Sequence, residues 1–475
     1  MVSNLPASCA SRQLATQQFV RRIARETHCS AMSLVLSSVR FLAFAVKRNS
    51  SLILRVASSF SVTLRARLQL RQALGEFSMN SPAETANQCM VDRLIAEGAL
   101  WSQLLISAFR ATPRHRFLDR VFLYHRKQNR WREVITREPG EERLRLIYSD
   151  RALITHLGNM KRDGTGTPIS SSSQPSLMAQ MLEDLRLEPG QRVLEVGAGT
   201  GYNAALISHV VGPKLVTSID VDREVLSQAW DHLRRPPERV VNLHHADGRH
   251  GFADSAPYDR IMVTAASLDL EVAWLQQLAD GGLLLVPLAL APGLAYVLLG
   301  TVTDGIFQGR LTRAAYFMSL RAEGESGMAE DQALPLGPTE PLPAPWSGWF
   351  EPKRPRYAWL GFIQSLVFYG LLKGLRVHYQ TLANGESTYA VQSGGDSCWL
   401  GATHWLVSGE SGTELAWTLW RSFLDAGGPR PTDFILRASP YGEFVPSHRH
   451  GFVRKGPVCS QSWELKEPFD RSTWL

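Results

Sequence analysis

Residues 195–201 read Glu-Val-Gly-Ala-Gly-Thr-Gly, with a short apolar run before them and a helical pattern after them. That places the glycines in a strand-to-helix turn. Gly197, Gly199 and Gly201 let the main chain turn tightly and let a ligand approach backbone N–H groups at the start of a helix. The spacing argues against a dinucleotide loop. The G-x-G-x-x-G/A fingerprint wants a small residue at position 202, where this chain has Tyr202. Two further strand ends carry polar signals. Asp220, 23 residues after Gly197, ends the second predicted strand, where a carboxylate can accept hydrogen bonds from both hydroxyls of a ribose. Asp247-Gly248 ends the third. With Glu195 ahead of the glycines, these residues outline a crevice for a ribose-bearing ligand along one rim of a sheet.

The elements that must hold them follow from the patterning. Strands are predicted over 192–196, 215–219, 240–244, 260–264 and 282–290, with helices over 202–211, 223–234 and 270–278. Such alternation makes a parallel sheet with helices on both faces, a Rossmann-like α/β fold. Residues 294–302 and 309–317, separated by Asp304-Gly305, read as an antiparallel hairpin at the sheet's edge. Upstream, 88–128 reads as helical through Val91, Leu94, Leu100, Leu104 and Phe109.

The whole chain has 475 residues, enough for two or three domains. Its net charge of +7 is concentrated at one end. Residues 1–78 carry eleven Lys or Arg against only Glu26 and Glu76, a net +9, which leaves −2 for residues 79–475. The body therefore offers no charge-based case for nucleic-acid binding. The basic leader has the composition of a transit peptide or of an amphipathic segment on a membrane surface. It reads equally as a disordered or untranslated extension ahead of a start at Met79. Five cysteines, an odd number without metal-site spacing, argue against a disulfide framework or a metal site and fit a reducing, cytoplasmic setting. No apolar run reaches the ~20 residues of a membrane span, and 357–372 reads as a buried helix. Seven prolines from Pro335 to Pro355 mark a linker over 326–356. Nine of thirteen tryptophans lie at or beyond Trp346, which sets off a smaller C-terminal domain over 357–475 with the tryptophans as its core. The catalytic domain is assigned to 79–325, with its cofactor-binding core at 188–320.

A resemblance sharpens this reading. The G-x-G-x-G loop preceded by an acid is the arrangement found in methyltransferases. The segment Arg192-Val-Leu-Glu-Val-Gly-Ala-Gly-Thr-Gly-Tyr-Asn-Ala-Ala205 resembles the first motif of the protein-L-isoaspartate O-methyltransferases. Ala246-Asp-Gly-Arg-His-Gly251, Ala256-Pro-Tyr-Asp-Arg260, Val263-Thr-Ala-Ala266 and Gln277-Leu-Ala-Asp-Gly-Gly282 with Val286-Pro-Leu288 resemble the later ones. Upstream, Pro113-Arg-His-Arg-Phe117 and Ser173-Gln-Pro175 with Met178-Ala179 match in order. The resemblance implies a class I S-adenosylmethionine-dependent methyltransferase sheet and S-adenosyl-L-methionine as cofactor. Glu195, Gly197, Gly199, Gly201, Asp220, Asp247 and Gly248 would hold that cofactor. The partner would be a protein or peptide bearing a free L-isoaspartyl or D-aspartyl carboxylate, methylated as a step of protein repair. In the family a serine before Gln-Pro holds the acceptor carboxylate, here Ser173. The run Ser170-Ser-Ser-Ser173 is longer than the single serine expected, so Ser170 competes for that place. The C-terminal domain is absent from minimal repair enzymes. It suits an alternative in which one dedicated, ribosomally made peptide docks there. A non-catalytic protein that keeps the cofactor fold is the reading from another class.

Overall fold

The computed structural model describes residues 81–161, 163–236, 240–323, 325, 339–346, 356–381, 387–401, 403–440 and 451–466. The leader expected over 1–78 lies outside them. Helix α1 (Pro82–Ala96) opens on a reciprocal cap. Ser81 Oγ accepts from Glu84 N at 3.2 Å, and Glu84 Oε2 accepts from Ser81 N at 2.7 Å. Helix α2 (Gln103–Ala111) is capped by Ser102, and a 3-10 turn follows at Arg114–Phe117.

The chain then departs from the helix expected to run to 128. Strands β1 (Arg120–His125) and β2 (Arg130–Ile135) form a hairpin. After helix α3 (Glu141–Ile147) come β3 (Leu153–Gly158) and β4 (Thr167–Ser172). Together they make an antiparallel sheet of order β2-β1-β3-β4. The run Val-Phe-Leu in β1 lacks the alternation that separates a half-buried strand from a helix, so periodicity alone assigns it to the preceding helical unit. Helix α4 (Pro175–Asp184) starts with Pro175 in its first turn, where a missing N–H costs nothing.

The predicted alternation follows. It runs β5 (Val193–Val196), α5 (Tyr202–Val211), β6 (Val216–Asp220), α6 (Arg223–Leu233), β7 (Asn242–His245), β8 (Tyr258–Val263), α7 (Val272–Gln277) and β9 (Leu278–Ala291). Strands β7-β6-β5-β8-β9 pair in parallel. Every residue of β5 is buried, as a central strand covered on both faces requires. The order reverses beside β5, which opens a crevice at its carboxyl end.

Strands β10 (Leu294–Thr303) and β11 (Ile306–Ala314) form the expected hairpin, but not at an edge. C-terminal residues continue the sheet beyond it. The small sheet begins with β12 (Glu340–Pro343), which lies inside the stretch read as a linker. Helix α8 (Arg356–Leu372) is followed by β13 (Arg376–Thr381), β14 (Ser387–Ser393), β15 (Asp396–Leu400) and β16 (His404–Ser408). These strands form an antiparallel sheet of order β12-β16-β15-β14-β13. After α9 (Gly412–Asp425), strands β17 (Phe434–Ser439), β18 (Phe452–Lys455) and β19 (Ser460–Leu465) join the main sheet, with β17 on the outer side of β11. The main sheet thus has ten strands, and from Ala86 onward the chain forms one compact unit. The boundary drawn at 326–356 is crossed by the sheet itself.

Buried aromatics fill the C-terminal layers. Trp346 packs on Trp405, Trp420 and Phe362 with ring centroids 5.1–5.3 Å apart. Helix α8 buries Phe362, Ile363, Leu366, Val367 and Phe368 in the same core. Among the described residues no helix is long and apolar enough to cross a membrane. Cys398 and Cys459 are buried free thiols.

One side chain ties the segment after β8 to the turn between β18 and β19. Asp269, 1% exposed, follows β8. Its Oδ2 accepts from Val458 N at 2.9 Å and Cys459 N at 3.0 Å, and its Oδ1 accepts from Gln461 Nε2 at 2.6 Å and Leu270 N at 2.8 Å. Replacing it leaves three buried donors and one part-buried donor unpaired, each buried one costing about 1–3 kcal/mol. Asp269→Ala is therefore expected to destabilise the chain by at least about 3 kcal/mol, read from denaturant midpoints, with Asp269→Asn losing less. Equal stability of wild type and Asp269→Ala would show that the tie contributes nothing.

Candidate functional site

The crevice beside β5 is a cavity of about 780 Å³. Of the nine predicted site residues, Ser170, Ser173, Gly197, Gly199, Asp220 and Gly248 line it. The other three are set back. Glu195 is buried beneath the loop, where its carboxyl accepts from Asn203 Nδ2 at 2.7 Å and from Ser218 Oγ. Gly201 caps α5 and packs against Leu233 of α6. Asp247 turns to Arg249, at 2.6 Å, and caps a short 3-10 turn.

The glycine loop is held by its neighbours. Gly197 has φ +98°, which favours glycine, and a Cβ there would collide with Thr264 Oγ1. That hydroxyl donates to the Gly197 carbonyl at 2.8 Å. Asp220 faces the loop. Its carboxyl accepts from Gly199 N at 3.1 Å and Asp222 N at 3.0 Å. Burial pushes Asp220 above the ordinary carboxylate range, opposed by those two donors.

The serine run arrives from the other sheet. A Cβ at Gly199 would stand 3.6 Å from the Ser171 carbonyl and 3.9 Å from Ser170 Oγ. Strand β4 therefore ends against the glycine loop. Its position is set by Arg114, whose guanidinium is fully buried. Arg114 donates to the carbonyls of Ile147 (2.7 Å), Ser149 (3.2 Å), Arg151 (3.2 Å), Ser172 (3.2 Å) and Ser173 (2.9 Å), and to Ser172 Oγ (3.2 Å). Burial lowers its pKa to about 10, still protonated at neutral pH. Asp150 accepts from Gln174 Nε2 at 2.8 Å and from Ser176 N at 2.9 Å, which caps α4. The serines differ accordingly. Ser172 Oγ is taken by Arg114, and Ser170 Oγ accepts from Thr155 Oγ1 at 3.4 Å. Ser173 is half-buried, and the hydrogen bond described for it is through its carbonyl.

The outer wall was not legible in the sequence. Residues 313–321, from the last two residues of β11 onward, cross the cavity. Arg313 meets Asp184 at the end of α4 at 2.5 Å. Ala266 brackets the strap, its N–H donating to the Met318 carbonyl and its carbonyl accepting from Leu320 N, both at 2.7 Å. Arg321 lies 3.8 Å from Asp222, two residues after Asp220. Asn203, in the first turn of α5, also lines the cavity.

The chemistry of the lining fits a nucleoside-bearing, cationic cofactor. Asn203 Oδ1 and Tyr202 Oη are buried, line the cavity and have no partner among the described residues. Asp220 is a half-buried acceptor able to take hydroxyl donors, and Gly248 sits so close to Val196 that a side chain there would collide with it.

Glu195 has a separate, measurable signature. Burial pushes its carboxyl up to about 7, with Ser218 and Asn203 opposing. The unfolded chain releases that proton near about pH 4.3. Between those values the folded state holds a proton the unfolded state lacks, so stability falls as pH rises, at up to about 1.4 kcal/mol per pH unit, and levels off above about 7. Glu195→Gln should remove this slope. Parallel pH profiles for the two proteins would refute the buried neutral carboxyl.

Comparison with known proteins agrees with the geometry. Residues 146–320 match the family model for protein-L-isoaspartate(D-aspartate) O-methyltransferase. The chain is 39% identical over 148 residues to the protein-L-isoaspartate O-methyltransferase of Thermotoga maritima, covering 31% of this chain and 44% of that relative. It is 35% identical over 227 residues to that of Burkholderia ambifaria, covering 47% and 61%. The matched stretch thus spans less than two thirds of either relative. A solved protein-L-isoaspartate O-methyltransferase is similar at 23% identity and a TM-score of 0.45, over 75% of this chain and 98% of that one. Residues 146–320 are thus similar to the protein-L-isoaspartate(D-aspartate) O-methyltransferases, in a chain that extends beyond the matched stretch on both sides.

Proposed function

We propose that this chain is a carboxyl O-methyltransferase acting on L-isoaspartyl and D-aspartyl residues of proteins or peptides, of the protein-repair type. The observation that carries this reading is the meeting of β4 with the glycine loop, which puts the serine run and Asp220 on one cavity.

When bound, S-adenosyl-L-methionine supplies a methyl group already activated on a positively charged sulfur. An ionised carboxylate is already a nucleophile. The protein therefore needs no strong base. It needs to align the two reactants, where several kcal/mol of barrier can be removed. Ser173 is assigned to the acceptor as the cavity-lining serine directly before Gln174-Pro175, its main chain fixed by the Arg114 hydrogen bond to its carbonyl. A neutral hydroxyl donor holds a carboxylate without quenching its charge as a cation would. Asp220 is assigned to the ribose hydroxyls, and Asn203 Oδ1 to an amino donor of the cofactor. Glu195 supports the site indirectly by fixing the Asn203 amide.

The deciding experiment is transfer of a radiolabelled methyl group to an isoaspartyl peptide, with the matching aspartyl peptide as control. Labelling of the isoaspartyl peptide alone supports repair-type activity. Labelling of neither, with cofactor binding intact, overturns it in favour of a dedicated peptide substrate.

Variants separate the two halves of the site. Asp220→Ala should weaken cofactor binding by at least tenfold, about the worth of a hydrogen-bonded charge. Ser173→Ala should lower turnover tenfold or more and leave cofactor affinity within twofold. Full turnover in Ser173→Ala would move the acceptor role to Ser170.

A further inference from the structure

Tyr316 stands in the middle of the strap that walls the cavity, between the Arg313–Asp184 contact and the Arg321–Asp222 contact. It is 60% exposed, unusual for a ring whose hydroxyl is so firmly engaged. That hydroxyl donates to the Gly293 carbonyl at 2.6 Å and accepts from Gln364 Nε2 at 2.9 Å. Gly293 lies in the turn between β9 and β10, and Gln364 lies in α8, beyond the family-matched segment. Gln364 is 3% exposed and is itself fixed. Its Nε2 also donates to Tyr389 Oη at 3.3 Å, and its Oε1 accepts from Tyr296 Oη at 3.5 Å. Tyr389 donates in turn to the same Gly293 carbonyl. The ring of Tyr379, 4.8 Å from that of Tyr389, covers Gly293 so closely that a Cβ there would come within 2.6 Å of it.

This cluster joins the cavity wall to the C-terminal helix and sheet. Because the Tyr316 hydroxyl is occupied on both its donor and acceptor sides, the ring offers a passing ligand only its apolar face. Arg313, three residues before it, is bound to Asp184 at the far end of the helix that begins at Pro175. Arg321, at the other end of the strap, donates to the Ile169 carbonyl at 3.4 Å, next to Ser170, and lies 3.8 Å from Asp222, so that end meets both the serine strand and the ribose-side acids, with Tyr316 five residues away on the same cavity wall.

Resting on the carboxyl-methylation reading above, we infer that Tyr316 is a specificity-determining residue that receives an apolar or aromatic side chain flanking the acceptor aspartyl residue, and that Gln364 is the positioning residue through which the C-terminal region sets it. Gln364 touches no reacting group. Its effect passes through the Tyr316 hydroxyl.

The test uses the full chain and two isoaspartyl peptides that differ only in the flanking residue, leucine or glycine. The wild type should favour the leucine peptide at least fivefold in kcat/KM, chiefly through KM. Tyr316→Ala should bring that ratio near one. Tyr316→Phe and Gln364→Leu should each lower it at least twofold while the Kd for S-adenosyl-L-methionine stays within twofold, and their double variant should lose no more than the stronger single one. Amide hydrogen exchange over 315–321 reads the same tie without substrate. It should rise in Gln364→Leu and Tyr316→Phe while exchange in 202–211 is unchanged. An equal ratio in wild type and Tyr316→Ala, or unmoved exchange over 315–321, overturns the inference. A wild type that binds cofactor but labels neither peptide overturns the functional reading instead, and the exchange result still decides the tie between Gln364 and the strap.

Discussion

The burial of the Arg114 guanidinium is the constraint on which the acceptor side of the site depends. Taking a permanent cation out of water costs several kcal/mol unless its donors are met. Here they are met by five backbone carbonyls and one hydroxyl drawn from two separate segments, 147–151 and 172–173. No carboxylate forms an ion pair with it within salt-bridge distance among the described residues, so geometry rather than charge pairing does the stabilising. Arginine suits this place because its planar fork reaches several acceptors at once, which a lysine ammonium cannot do in the same arrangement. The consequence is positional. The end of β4 cannot move without stranding buried donors, so the serine run is presented to the glycine loop by a fixed hub.

The opposite wall uses acids in a different way. Glu195 is buried and Asp220 half-buried, and withdrawal from water raises both above the ordinary carboxylate range. Their roles diverge through their partners. Glu195 is satisfied within the protein by Ser218 and Asn203, which makes it a strut. Asp220 receives two backbone N–H groups and borders the cavity, which leaves it able to gain further donors. Hydroxyls arriving at Asp220 would favour its ionised form. Ligand binding and ionisation at that residue therefore reinforce one another, and a lower pH opposes both.

How much of this was legible in the sequence follows from how local each signal is. The parallel core was readable because each strand, turn and helix announces itself within about ten residues, and the Gly197–Gly201 loop carries its own geometry. Asp220 was readable by its place at a strand end. Arg114 was visible only as part of a resemblance, since its partners lie 33 to 59 residues away. Glu195 was assigned to the ligand when its hydrogen bonds turn it inward. The Asp269 tie joins residues 189 to 192 positions apart, and no periodicity encodes such a pair. The boundary at 326–356 was drawn on proline content, yet Glu340–Pro343 pairs as an edge strand with β16. Proline is tolerated there because an edge strand need not donate on both sides.

The C-terminal strands also explain why the hairpin does not end the sheet. With β11 at an edge, its unpaired N–H and C=O groups would face water beside the exposed cavity, a template for unwanted pairing. Strand β17 covers that edge from Phe307 to Arg310, and the buried Phe307 and Leu436 belong to the same core. The strap leaves the far end of β11, so its base is held by a sheet that is closed off on that side by the C-terminal residues. A chain stopped after the strap would keep every ligand-facing residue of the cavity and lose both the cover on β11 and the Gln364 contact to Tyr316. The C-terminal region is thus part of what shapes the cavity, although none of its residues lines it.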